Sequence, residues 1–169
     1  QIDRYLQNPG REVQSVAESS FDTWIKFYRP DENSNNAGTS YYNKGCLVAL
    51  CLDLGLRLRG SSLDALVRKL YENAQKGIQV TERTIFELCE ELTGHSWLEQ
   101  INHLIYTTDE LPLDQLFPEF GIEYQVKNDK TQPFGLKVAD KPEGVMIQQA
   151  RRDGAGAKAD RKSTRLNSS

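Results

Sequence analysis

Metal-binding side chains are scarce in this sequence. Its 169 residues include two histidines, His95 and His103, and three cysteines, Cys46, Cys51 and Cys89. The histidines lie eight apart with no H-E-x-x-H around them, and the cysteine spacing matches no zinc motif. The chain by itself is therefore expected to hold no metal. Serine chemistry lacks its signature too: Ser15, Ser19 and Ser20 have no G-x-S-x-G frame and no histidine near them in sequence. Neither charge sign dominates. With 21 basic and 24 acidic residues the net charge is −3, so nothing points to a nucleic-acid partner. No apolar run is long enough to span a membrane, and there is no signal peptide. The chain opens at Gln1 without an initiator methionine. It reads as an internal piece whose targeting signals lie upstream, and cytoplasmic and periplasmic locations both stay open.

What is present suits a folded, water-soluble chain, with 38% hydrophobic and 27% charged residues. Its organising stretch is Ser40–Gly60, SYYNKGCLVALCLDLGLRLRG. From Cys46 to Leu58 only Asp53, Gly55 and Arg57 interrupt the apolar residues, which predicts a core helix. Thr39 or Ser40 is placed to cap its start and Gly60 to end it. Asp53 and Arg57, four apart, share a face and are expected to pair. Cys46 and Cys51, five apart, point to different sides, so the three cysteines are expected to be buried free thiols. Two tyrosines, Tyr41 and Tyr42, stand at the positive end of this helix beside Lys44. A phenol there is well set to donate a hydrogen bond to developing negative charge. Plain packing tyrosines are the alternative.

The rest of the chain up to Phe120 reads as helical. Gln1–Leu6 suggests the tail of a helix, Asn8-Pro9-Gly10 a turn and Arg11–Val16 an extended segment. Ser19 or Ser20 would cap a helix whose apolar face is Phe21, Trp24, Ile25 and Tyr28. Arg29–Thr39 is a polar loop. Its Asp31 and Glu32 could attract a free amino terminus or form a solvated acidic turn. Ser61 and Asp64 open a helix striped by Leu63, Leu66, Val67, Leu70, Tyr71 and Ala74, ended by Gly77. Thr81 caps another with Ile85, Cys89 and Leu92 inward and Gly94 as its stop. Trp97, Leu98, Ile101, Leu104 and Ile105 mark a third, and Leu113, Leu116 and Phe117 a short fourth. Gly60, Gly77 and Gly94 are evenly spaced, but the segments between them do not resemble one another, so no repeat is inferred.

After Gly121 the texture changes: Ile122–Val126 alternates like a strand, and Phe134–Val138 and Val145–Ile147 are further short strand candidates. Asn128–Gln132 reads as a turn or hairpin. Asp153–Ala159 suggests a turn and a small-residue helix start. Arg161–Ser169, RKSTRLNSS, lacks apolar periodicity and reads as an artefactual tail.

Tyr42-Asn43-Lys44-Gly45 has the Y-x-K-G form of zinc aminopeptidases of the HExxH…E (gluzincin) class. The longer string Ser40–Tyr71, the upstream SSFDTWIKFYRPDENS (Ser19–Ser34) and the downstream TDELPL (Thr108–Leu113) resemble the glycyl aminopeptidase family, bacterial metallopeptidases with a trailing PDZ domain. The resemblance runs from about Asn8 to Ala159. It implies a mainly α fold: residues 1–120 as the C-terminal helical part of a thermolysin-like catalytic domain, 121–159 as the start of a β-rich PDZ domain, and 160–169 as a disordered tail. It implies cleavage of N-terminal glycine or alanine from peptide substrates by the full-length enzyme, with zinc held upstream of Gln1 and this fragment inactive alone. Tyr42 would support the oxyanion of the tetrahedral intermediate. Phe134, Gly135 and Leu136 would match the PDZ loop and strand that take a peptide's C-terminal carboxylate. The other class left open is a non-catalytic helical scaffold joined to a PDZ peptide-binding module.

Overall fold

The computed structural model describes residues 1–27, 34–126, 135–152 and 154–158. Tyr28, Asp31, Glu32, Asn128–Gln132, Phe134, Asp153 and the 161–169 tail lie outside them. The chain is mainly helical with a two-stranded sheet near its C-terminus, and it divides into two compact units.

One unit comprises residues 44–125. It holds most of helix α4 (Tyr41–Leu58), then α5 (Leu63–Gln75), α6 (Glu82–Thr93), α7 (Leu98–Tyr106) and α8 (Leu113–Glu119). Its core is the product of helical periodicity. Leu56, Leu66, Leu88, Cys89, Trp97 and Ile101 form one buried cluster, with Leu52, Leu63, Leu70, Ile85, Phe86, Leu92 and Ile105 packed against it. Trp97 is the keystone. Its ring lies over Gly55, where an added Cβ would come within 3.1 Å of it. Its indole N–H donates to Thr93 Oγ1 at 2.8 Å, and the Arg59 guanidinium lies over the ring, 4.9 Å from its centroid.

Helix ends in this unit follow capping chemistry. Ser62, rather than Ser61, caps α5 by accepting from Ala65 N. Thr81 and Thr84 form a reciprocal capping box on α6. Gly60, Gly77 and Gly94 all adopt positive φ, so the even spacing reflects three left-handed helix stops. Asp53 does more than pair with Arg57 at 2.8 Å. Its second oxygen accepts the Leu63 N–H at 2.8 Å and so ties α4 to the start of α5. Burial acts to raise the Asp53 pKa, but the bonds from Arg57 and Leu63 outweigh it, and the carboxyl sits below its ordinary value.

The other unit comprises residues 1–43 and 126–169. It opens with α1 (Ile2–Leu6) and a 3₁₀ turn, Pro9–Glu12, capped by Asn8. Helix α2 (Val16–Phe21) begins at Ser15, whose capping box with Glu18 replaces the expected cap at Ser19 or Ser20. The segment before it is thus turned rather than extended. A single π-helical turn, Thr23–Phe27, and a short helix α3 (Ser34–Ala37) follow. Strands β1 (Leu136–Lys141) and β2 (Gly144–Ala150) form an antiparallel hairpin with a bulge after Lys137, and α9 (Ala155–Lys158) comes next. The Asn36 side chain joins the hairpin's end. Its amide donates to Ala150 O at 2.8 Å and its oxygen accepts Arg152 N–H at 3.0 Å.

Three expectations are corrected. Ile122–Val126 forms no strand; Tyr124 instead meets Phe117 edge to face at 5.4 Å, and no strand among the described residues pairs with this segment. Phe21, Trp24 and Ile25 are helically spaced but 88%, 80% and 72% exposed, so this is no buried face. Cys46 is exposed, whereas Cys51 and Cys89 are buried, and burial pushes their thiols up to about 12 and about 11.

Candidate functional site

The stretch leading into α4 is held almost entirely by polar groups. Asn8 accepts the Gly10 N–H at 2.9 Å through its side-chain oxygen, and its amide donates to Gly38 O at 3.2 Å. Gly10 lies against the backbone of Gly38 so closely that an added Cβ would fall 1.9 Å from the Gly38 oxygen. Only glycine fits that approach. One residue on, Thr39 is buried, and both of its backbone polar groups are taken by side chains. Its N–H donates to Gln14 Oε1 at 3.2 Å, and its carbonyl accepts from the Ser19 hydroxyl. Gln14 and Ser19 are themselves buried. Ser19 thus works from inside α2, not as its cap.

Helix α4 then starts. Ser40 Oγ accepts the Asn43 N–H at 3.4 Å, which makes Ser40 the cap. Tyr41 and Tyr42 occupy the first turn with ring centroids 4.1 Å apart, tilted by 33°. Tyr42 is 61% exposed. Lys44, two positions on, is fully buried and donates to Thr107 O at 3.4 Å. Positions i and i+2 of a helix point about 200° apart. The Y-x-K-G string therefore splits by role: the lysine turns inward and the phenol outward. An added Cβ at Gly45 would meet nothing within 4 Å, so its presence is not forced by packing.

Among the described residues no group of three or more His, Cys, Asp or Glu could hold a metal ion. His95 is exposed, and His103 lies 3.5 Å from Asp109 at the far end of α7. The residues here do not form a zinc site. In the hairpin, Gly135 has φ +57°, its carbonyl accepts the Arg151 N–H at 2.7 Å, and Leu136 opens β1 opposite Ala150. Phe134 lies outside the described residues.

The M61 glycyl aminopeptidase family model matches residues 1–48, ending just past Tyr42-Asn43-Lys44-Gly45. A crystal structure of an aminopeptidase N family protein from Idiomarina loihiensis is similar with a TM-score of 0.78 and 31% identity, over 94% of this chain and 30% of that one. The two matches together support a fragment of a glycyl aminopeptidase-family protein. The chain spans about a third of the length of that solved relative. Comparison with curated proteins finds no match. No helix among the described residues is long and apolar enough to cross a membrane.

Motif reading singled out Tyr42 but missed the contacts of Asn8, Gly10, Gln14 and Gly38. The N-P-G turn was visible, yet a glycine against a glycine across 28 positions leaves no local pattern. Buried glutamine and serine look like surface residues in a sequence.

Proposed function

We propose that the full-length protein is a metallo-aminopeptidase removing small N-terminal residues, glycine or alanine, from peptides, and that Tyr42 supplies an oxyanion-supporting phenol. The observation that carries this reading is the outward phenol in the first turn of α4, next to an inward Lys44. When the scissile carbonyl becomes tetrahedral, its oxygen gains negative charge. A phenol O–H fixed nearby donates to that oxygen more strongly than to the neutral carbonyl, which lowers the barrier rather than tightening substrate binding. The helix start adds a favourable positive potential. The likeness to this family implies zinc as the metal. The described residues do not fit a zinc site, so its ligands are assigned to the remainder of the full-length enzyme and no step is drawn through it.

The hairpin is read as the opening of a PDZ module spanning 121–159, after a catalytic part in 1–120. Gly135 at positive φ ahead of β1 supports this, because such a loop turns backbone amides toward a peptide's C-terminal carboxylate. The module would bind a C-terminal peptide along β1.

Replacing Tyr42 by phenylalanine tests the catalytic half. In the full-length enzyme Tyr42→Phe should lower kcat by roughly 10²–10³ with little change in KM. Tyr41→Phe, about 100° away around the helix, should be mild. An unchanged kcat in Tyr42→Phe would remove this phenol from the chemistry.

A further inference from the structure

The proposal for Tyr42 raises the question of what holds its helix start in place. The preceding residues, Gly38-Thr39-Ser40, make no strand and no helix. A free segment there would let the first turn fray, since the first N–H groups of a helix have no partner of their own. Instead, the Thr39 N–H is taken by Gln14 and the Thr39 carbonyl by Ser19. These two side chains come from either side of the α2 cap, which Ser15 and Glu18 rigidify. Thr23 adds a further bond, its hydroxyl donating to Ser19 O at 2.8 Å. Only Ser40 and Tyr41 separate Thr39 from Tyr42. Two buried hydrogen bonds with opposite directions, one to a donor and one to an acceptor, fix the rotation of a peptide segment as well as its position.

We propose that Gln14 and Ser19 are positioning residues for Tyr42: by holding both backbone polar groups of Thr39, they set where α4 begins and where its phenol stands. The inference rests on the catalytic reading of Tyr42. A misplaced catalytic group costs rate while leaving substrate binding largely intact. Losing either bond should therefore reduce kcat on the order of 10-fold to 100-fold with KM nearly unchanged.

The test uses the full-length enzyme and a double-mutant cycle. Ser19→Ala and Gln14→Met each remove one bond, and Gln14→Met keeps the side chain's length. Each is measured in the native and the Tyr42→Phe background. Ser19→Thr and Gln14→Glu, which keep the hydroxyl and the acceptor, should restore most of the rate. Ser62→Ala, which removes the cap of α5, should leave kcat unchanged and controls for general loss of stability. The expected result is a kcat loss in the native background that nearly disappears once the phenol is gone. The same loss in both backgrounds would show that these residues act elsewhere and overturn the proposal. A normal kcat in Ser19→Ala and Gln14→Met, alongside a slow Tyr42→Phe, would overturn it while sparing the catalytic role of Tyr42. A fast Tyr42→Phe would overturn both. Should Ser19→Ala not fold, the Gln14 pair carries the same cycle.

Discussion

The two units of this chain are held together by different physics. In residues 44–125 the stabilising element is apolar area: leucines from α4, α5 and α6 close around Trp97 and Cys89. In the described part of residues 1–43, side chains clasp backbone, one glycine lies on another, and Phe21, Trp24 and Ile25 are largely exposed. Apolar burial is strong but non-directional, so it sets that a segment is inside without fixing it to a fraction of an ångström. Hydrogen bonds to backbone and glycine contacts contribute less energy but specify geometry. The unit that stabilises and the segment that positions the candidate phenol are built accordingly.

The sharpest way to break this contrast is a cavity in the apolar unit. Leu56 is fully buried, and Leu56→Ala should cost about 2–5 kcal/mol of stability in chemical denaturation. A loss well below 1 kcal/mol would mean the cluster is not what holds this unit.

The matching disruption in the polar segment is Gly10→Ala. Its methyl would overlap the Gly38 backbone, which cannot rotate away as a side chain would. The expected cost is about 1–3 kcal/mol, with hydrogen-exchange protection falling around Gly38–Asn43 and holding at Leu66 and Leu88. Equal loss of protection in both regions would erase the distinction drawn between them.

The smallest effect concerns pH. Asp53 is held below its ordinary value in the folded chain, so its contribution is present above the unfolded carboxylate range and is lost as pH falls through the lowered value. Asp53→Asn should destabilise by about 1 kcal/mol near neutrality. The difference from the native chain should shrink toward acid. A gap independent of pH would show that the α4 to α5 tie does not depend on the charge.

How far the sequence could be read follows the same division. Periodicity located Leu66, Cys89, Ile101 and Leu104, because each sits on a helix whose buried face lies within this unit, and Trp97 at the start of α7. Both hairpin strands were legible in part, as short candidates at Phe134–Val138 and Val145–Ile147 that overlap β1 and β2. The same periodicity marked Phe21, Trp24 and Ile25 as an apolar face, and these side chains are exposed: spacing shows that a face is apolar, not that something covers it. The place of Tyr42 in the first turn of α4 was legible in the sequence. Its supports were not, because Gln14 meets Thr39 across 25 residues and nothing local distinguishes a buried glutamine from a solvated one.

The two tryptophans fall one in each unit, and their surroundings are opposite. Trp97 is 3% exposed, hydrogen-bonded through its N–H and covered by a guanidinium, whereas Trp24 is 80% exposed. The chain therefore carries two optical reporters with separable signals. Indole emission from Trp97 should be blue-shifted and shielded from iodide, and that from Trp24 red-shifted and readily quenched. Unfolding followed with iodide present should track the Trp97 unit almost alone, and Trp24→Phe would leave that trace nearly unaltered.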